Sequence, residues 1–340
     1  MTLEFGIFDH VDRNQRPLPD FYEDRLKLIE AYDQAGVYGY HCAEHHFTPL
    51  GMAASPSVFL SAIAQRTRRL RFGPLVYTLA RYPPLRLAEE ICMLDQMSRG
   101  RLDVGVGKGI SPIEVGYYGI DFKNADKLFG EAFAIIMQAL TKGTVTFEGE
   151  FFRFKDVPFE LEAFQKPHPP LWYGVVNPDS AGRAAQAGMN IISNSTPAAI
   201  KAKIARYRTT YQGKGSPKFG MTRYMVLADN EAEALDIARR AYRMWHASFH
   251  MLWRKHNQMP TNVVYPPEID DQIADGRAVV GTPGKVRDIL KAQLAESGAN
   301  YMVCRFAFGD LSLAESLRSL DLFSRDVMPA LRESMPVAAE

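Results

Sequence analysis

The sequence predicts an α/β protein, a closed (β/α)8 TIM barrel, on three observations. Short β-rich runs alternate with longer runs of helical period almost to the end of the 340 residues. Eight such units can be marked, which favours a closed barrel over an open doubly wound sheet with its edge strands. No low-complexity linker or solenoid repeat interrupts them, so residues 1–340 read as one domain.

The first unit sets the strand "LEFGIF" at 3–8 before a helix that follows Pro19. Asp20 and Glu23 take capping-box positions there, and Phe21, Leu28, Ile29, Tyr32 and Ala35 recur at helical spacing until Gly36. "YGYHCA" (38–43) is the second strand, and Ser55-Pro56 opens a helix to about residue 68. "LRFGPLVY" (70–77) is the third, with a helix from about 84 to 98 that Gly100 ends. "RLDVGVG" (101–107) is the fourth, with a helix over roughly 125–141. "PLWYGVV" (170–176) is the fifth, where Asn177-Pro178 puts an N-cap before a first-turn proline. "MNIIS" (189–193) is the sixth, and Thr196-Pro197 repeats that device. "FGMTRYMVLA" (219–228) is the seventh, before a long helix from about 231 to 255. "ANYMVCRF" (299–306) is the eighth, with Ser312 and Glu315 as a capping box before the last helix. The length beyond the ~250 residues usual for this fold lies in two insertions. One, after strand four at 143–169, holds a predicted hairpin "TVTFEGEFFRF"; the other, 256–281, is rich in Pro, Asp and Asn.

Forty basic and 39 acidic residues give a net charge of +1 without any run of like charge, which argues against nucleic acid as a partner. No segment approaches the ~20 apolar residues that would span a bilayer, and "MTLEFGIFDH" has no basic flank before an apolar stretch. A soluble cytoplasmic protein is expected. Cys42, Cys92 and Cys304 stand in no pairing or zinc-ligand spacing and read as small buried hydrophobes.

Chemistry in such a barrel sits at the C-terminal ends of the strands. "HCAEHHF" (41–47) leaves His41 within the second strand and Glu44, His45 and His46 where it ends. Adjacent histidines point to opposite sides of an extended chain, and no His-x-His or HExxH accompanies them, although His10 could supply one more ligand. No metal is assigned, and a metal-dependent hydrolase stays as an alternative. Asn177-Pro178-Asp179-Ser180 starts a helix at the same face, where free N–H groups suit a phosphate. Lys108, between Gly105, Gly107 and Gly109, could add a positive charge. An ordinary capped helix and a tight turn would account for the same residues.

Several stretches resemble the bacterial luciferase family of flavin-dependent monooxygenases: "AEHHFTPLG", "RTRRLRFGPLVYTLARYPPLRLAEEICMLDQMSRGRLDVGVGKG", "PLWYGVVNPDSAGRAAQAGMNII", "VGTPGKVRDIL" and "FGDLSLAESLRSLDLFSRDVMP". The resemblance implies a barrel that binds reduced FMN, reacts it with O2 to a C4a-hydroperoxide, and oxygenates a small organic substrate, aldehyde-like or otherwise apolar. It implies a separate NAD(P)H:flavin reductase and a homodimer. By the same resemblance His45 is the catalytic histidine, flanked by Glu44 and His46. Pro74 and Leu75 support the isoalloxazine, with a cis peptide expected between them, and Lys108, Asn177 and Ser180 contact the phosphate. Gly107 and Lys108 stand where luminescent members carry cysteine and arginine, which argues against light emission. Region 256–281 falls where the family has a mobile lid. By residue type Phe47, Tyr77, Trp172 and Trp253 are candidates to line an apolar pocket, although an aromatic in a barrel of this size is more often plain core. Relatives that transfer hydride with a deazaflavin make that a second reading, and a flavin-storing protein a third.

Overall fold

The computed structural model describes residues 3–260 and 264–334. In chain order its strands are β1 (Glu4–Asp9), β2 (Gly39–Cys42), β3 (Arg71–Pro74), β4 (Tyr77–Thr78), β5 (Val104–Gly107), β6 (Thr144–Glu148), β7 (Arg153–Pro158), β8 (Leu171–Gly174), β9 (Asn190–Ser193), β10 (Phe219–Leu227), β11 (Ala278–Gly281) and β12 (Tyr301–Arg305). All except the β6–β7 hairpin form one parallel sheet in the order β3-β2-β1-β12-β10-β9-β8-β5-β4, with β11 added to β10. A bridge between Phe72 of β3 and Leu102, two residues before β5, brings these strands together, so the sheet curls into the predicted TIM-type barrel with helices outside.

The strands are buried on both faces because both faces are covered. Ile7, Met221, Met225 and Cys304 pack in the layer beneath the helices, whereas Val303, Tyr301, Ile192, Trp172 and Leu75 fill the barrel interior beside Phe8. Where β3 meets β5 the backbones come too close for a side chain. A Cβ on Gly73 would lie 1.9 Å from the Asp103 carbonyl oxygen, and one on Gly105 would lie 2.3 Å from that of Pro74. The caps at Asn177, Thr196 and Ser312 are formed as the sequence indicates.

Three expectations are corrected, and a fourth segment proves more structured than its composition suggested. The first helix starts at Leu18, so Asp20 lies in its first turn and the cap position is Pro17, which has no side-chain oxygen to offer. The helix after β10 divides into Glu231–Phe249 and Met251–Lys255 about His250. The cis peptide lies at Leu75–Val76, not Pro74–Leu75. Leu75 N–H still bonds to the Cys42 carbonyl at 2.7 Å and prolongs the β2–β3 ladder, so the chain departs one residue later, before Tyr77 pairs with Val106. Region 256–281, expected to be a lid, contains the helix Ile269–Ala274 and strand β11, and its residues 261–263 lie outside the described residues. Among the described residues no helix is long and apolar enough to cross a membrane.

Candidate active site

At the exit of β2 three loops converge on a buried set of charges. Glu44 Oε2 accepts the Thr78 N–H at 2.9 Å, while its Oε1 lies 2.8 Å from His46 Nε2 and 3.0 Å from Arg81 Nη2. Arg81 comes from the short turn Leu79–Arg81 after β4, and its Nη1 lies 3.4 Å from Glu114 Oε2. Glu114 is placed by the helix Pro112–Tyr117, whose cap Ser111 accepts the Glu114 N–H. Its Oε2 also accepts the His46 N–H at 2.8 Å, and its Oε1 lies 3.1 Å from His45 Nδ1. Burial pushes the Glu114 carboxyl up, but His45, the His46 N–H and Arg81 outweigh it and bring the pKa to about 2.

The two histidines are thereby distinguished. His46 uses both ring nitrogens, Nε2 on Glu44 and Nδ1 on the Tyr118 hydroxyl 2.7 Å away. It holds structure. His45 gives its Nδ1–H to the Glu114 carboxylate, and its Nε2 makes no hydrogen bond to the described residues. A carboxylate on one nitrogen fixes the tautomer and leaves the other nitrogen basic. The His45 ring lies 5.7 Å from that of His10, at the end of β1, and beside a narrow cleft shared with Ile110, Leu252 and Trp253.

The other expected residues divide. Asn177 Oδ1 accepts the Ser180 N–H at 2.9 Å, and the Ser180 hydroxyl accepts the N–H groups of Val176 and Asn177 and donates to the Asn177 carbonyl. That hydroxyl is consumed by the cap. Lys108 Nζ lies 2.8 Å from Asp126 Oδ2 on an exposed edge. Leu75 faces the barrel interior. Phe47 stands exposed on the rim with Tyr117 and Tyr118 against its ring. Tyr77 and Trp172 are core, bonded to Ser57 and Asp103 respectively. Among the described residues no three His, Cys, Asp or Glu side chains come together to hold a metal. Sequence reasoning passed over Arg81 and Glu114, although Ser111-Pro112-x-Glu114 carries a capping signature.

Two buried histidines set a pH dependence. His41 bonds to the Tyr301 hydroxyl, and burial, with Arg71 nearby, lowers its pKa to about 3. His10 is held well below its ordinary value by burial, then by Arg305 and His45. Unfolded, both take up a proton near pH 6.5. The unfolded chain therefore binds more protons below that pH, and stability falls as pH drops from 6.5 towards 3. The slope is about 1.4 kcal/mol per pH unit for each such histidine. Urea unfolding between pH 7.5 and 5 is expected to show this slope, and His41→Asn to reduce it; an unchanged slope in the variant would exclude His41 as a source.

A family model described as luciferase-like monooxygenase matches residues 3–301. This chain belongs to that family. It is 41% identical over 332 residues to the uncharacterized protein y4wF of Sinorhizobium fredii, covering 96% of each chain. It is 25% identical to the oxygenase component of the flavin-dependent trigonelline monooxygenase of Acinetobacter baylyi, covering 98% of this chain and 96% of that one. Among solved structures the monooxygenase RslO1 of Streptomyces bottropensis has a TM-score of 0.86 at 25% identity, covering 96% of this chain and 99% of its own. An F420-dependent secondary alcohol dehydrogenase shares the fold alone, with a TM-score of 0.73 at 18% identity and coverage of 97% and 99%. In the luciferase-like barrel described above, His45, Glu114 and the exposed rim lie at the strand ends where this fold class places its chemistry.

Proposed function

We propose that this protein is a cytoplasmic FMN-dependent monooxygenase, the oxygenase half of a pair whose partner is a separate NAD(P)H:flavin reductase. The observation that carries this reading is His45, held through Nδ1 by a buried carboxylate and open at Nε2 beside the mouth of a luciferase-like barrel. The mouth fits a flavin. Phe47, Ile110, Tyr117, Tyr118 and Val176 expose apolar surface around it, as a planar ring system requires, and the capped helix at Asn177 with nearby Lys108 offers donors to a phosphate. Pro74 and Leu75 would back the ring system, Lys108 and Asn177 would hold the phosphate, and Ser180 would act through the cap it completes.

Reduced FMN, when bound, supplies the electrons that let dioxygen deliver one oxygen atom to an organic substrate. The chain's own residues orient, exclude water and move a proton. His45 Nε2 accepts or returns that proton at the reacting oxygen, Glu114 fixes the ring, and Glu44 with Arg81 and His46 keeps the loop in place. The one-domain reading of residues 1–340 is supported by the single parallel sheet that runs from β1 to β12. Val58, Met93 and Met97 expose apolar surface on neighbouring outer helices and support a homodimer.

An anaerobic titration with FMN and with a deazaflavin, followed by turnover under labelled dioxygen, tests the reading. Tighter binding of FMN, one labelled oxygen atom in the product and a two-chain mass by sedimentation are expected. Preference for the deazaflavin, with substrate-linked reduction and no oxygen uptake, would overturn it.

A further inference from the structure

Two strands along the sheet from the one that carries Glu44, β12 ends in a charged residue. Arg305 follows Tyr301 and Val303 on the face of β12 that lines the barrel interior, and it is only 5% exposed. Its guanidinium carbon lies 4.6 Å from the centre of the Phe8 ring and 4.5 Å from that of Tyr224. Its Nε and Nη1 make no hydrogen bond to the described residues, and no aspartate or glutamate among those residues ion-pairs with it. Arg223, on the neighbouring strand and the other face of the sheet, gives Nε to Gln293 and Nη1 to the Thr222 carbonyl and leaves only Nη2 without a partner. An arginine keeps its charge, and a buried charge without a counter-charge is costly to maintain in a fold.

The neighbours of Arg305 are donors. Trp245 Nε1 donates to His10 Nδ1 at 3.3 Å, and because an indole only donates, the neutral His10 ring carries its own proton on Nε2. The Tyr224 hydroxyl is buried without a partner. Asp12, near Tyr224 and beside Asp9 and Arg25, accepts the Gly309 N–H through one oxygen and leaves the other without a partner among the described residues, and burial raises its pKa to about 7. A cation clamped between two rings, with an imidazole N–H and a phenol beside it, is built to receive an oxyanion in a fixed plane.

We propose that Arg305 binds a carboxylate of the organic substrate and so sets both its class and its direction, with the carboxylate between β1 and β12 and the carbon to be oxygenated towards His45. In calling that anion the substrate, this rests on the monooxygenase reading; the binding of a carboxylate does not. The two rings fix the guanidinium plane, which suits a planar carboxylate, and lysine at this position would keep the charge while losing that geometry.

The test measures binding without turnover, on FMN-loaded and FMN-free protein. Benzoate, cyclohexanecarboxylate and octanoate are titrated against their primary amides, with Trp245 fluorescence and calorimetry as readouts. Wild type is expected to bind at least one of these acids ten-fold or more tighter than its amide. Arg305→Gln should abolish the preference, Arg305→Lys should retain part of it, and both should bind FMN within about three-fold of wild type. No preference in wild type, or a preference that survives in a folded Arg305→Gln, would overturn the proposal. So would an Arg305→Gln variant that weakens reduced FMN ten-fold and leaves the preference untouched, since the cation would then serve the flavin. If Arg305→Gln does not fold, the wild-type pairs and Arg305→Lys decide. Acids that bind as expected and are never oxygenated would count against the monooxygenase reading and leave the anion site standing.

Discussion

His45→Ala is expected to lower product formation by about 10²- to 10⁴-fold, the range set by a positioned acid–base group, with FMN affinity changed by no more than a few-fold. The substitution removes His45 Nε2, which has no hydrogen-bond partner among the described residues, while Glu114 keeps Arg81 and the His46 N–H. His45→Gln is the stricter variant, since an amide can still bond to Glu114 but carries no titratable nitrogen. Turnover by labelled-oxygen incorporation is compared with FMN binding measured separately. A rate within ten-fold of wild type in both variants would remove His45 from the chemistry.

Arg81→Met should cause the largest loss of stability of any single change at the site. The side chains of Arg81, Glu44 and Glu114 are 4%, 1% and 7% exposed, and one guanidinium bridges both carboxylates. Without it two buried negative charges face each other with only histidines and N–H groups to answer them. Breaking such a pair costs about 3–5 kcal/mol. Urea unfolding at pH 7 reads the loss, and the gap from wild type should narrow as pH falls and Glu114 protonates. A loss under about 1 kcal/mol would mean that water or a shifted loop replaces the arginine.

What was legible in the sequence was whatever a short window encodes. Eight strand runs, their helices and the caps at Asn177, Thr196 and Ser312 each rest on contiguous residues. So does the placing of His45 at a strand end. The cluster around it was not legible, because Glu44, Arg81 and Glu114 follow β2, β4 and β5 and meet only once the barrel closes. Residue type left Trp172 and Tyr77 open between pocket and core, and only the fold decides for core, one inside the barrel and the other bonded to Ser57. Strand β11 is four residues long in a segment that composition marked as irregular. Arg305 offered a sign that went unused, a charge in an apolar strand at the same parity as Tyr301 and Val303.

Strand β10 outlasts its neighbours in the barrel. β9 pairs with it as far as Met221 and β12 as far as Tyr224, and β11 alone accompanies it from there to Leu227. The chain that approaches β11 is thus tied to the rim by main-chain hydrogen bonds, which are indifferent to the side chains that come before. The residues just before it are anchored as well, Gln272 by the Tyr242 hydroxyl and Asp270 by Arg239, so the added length is built into the barrel wall rather than hung from it.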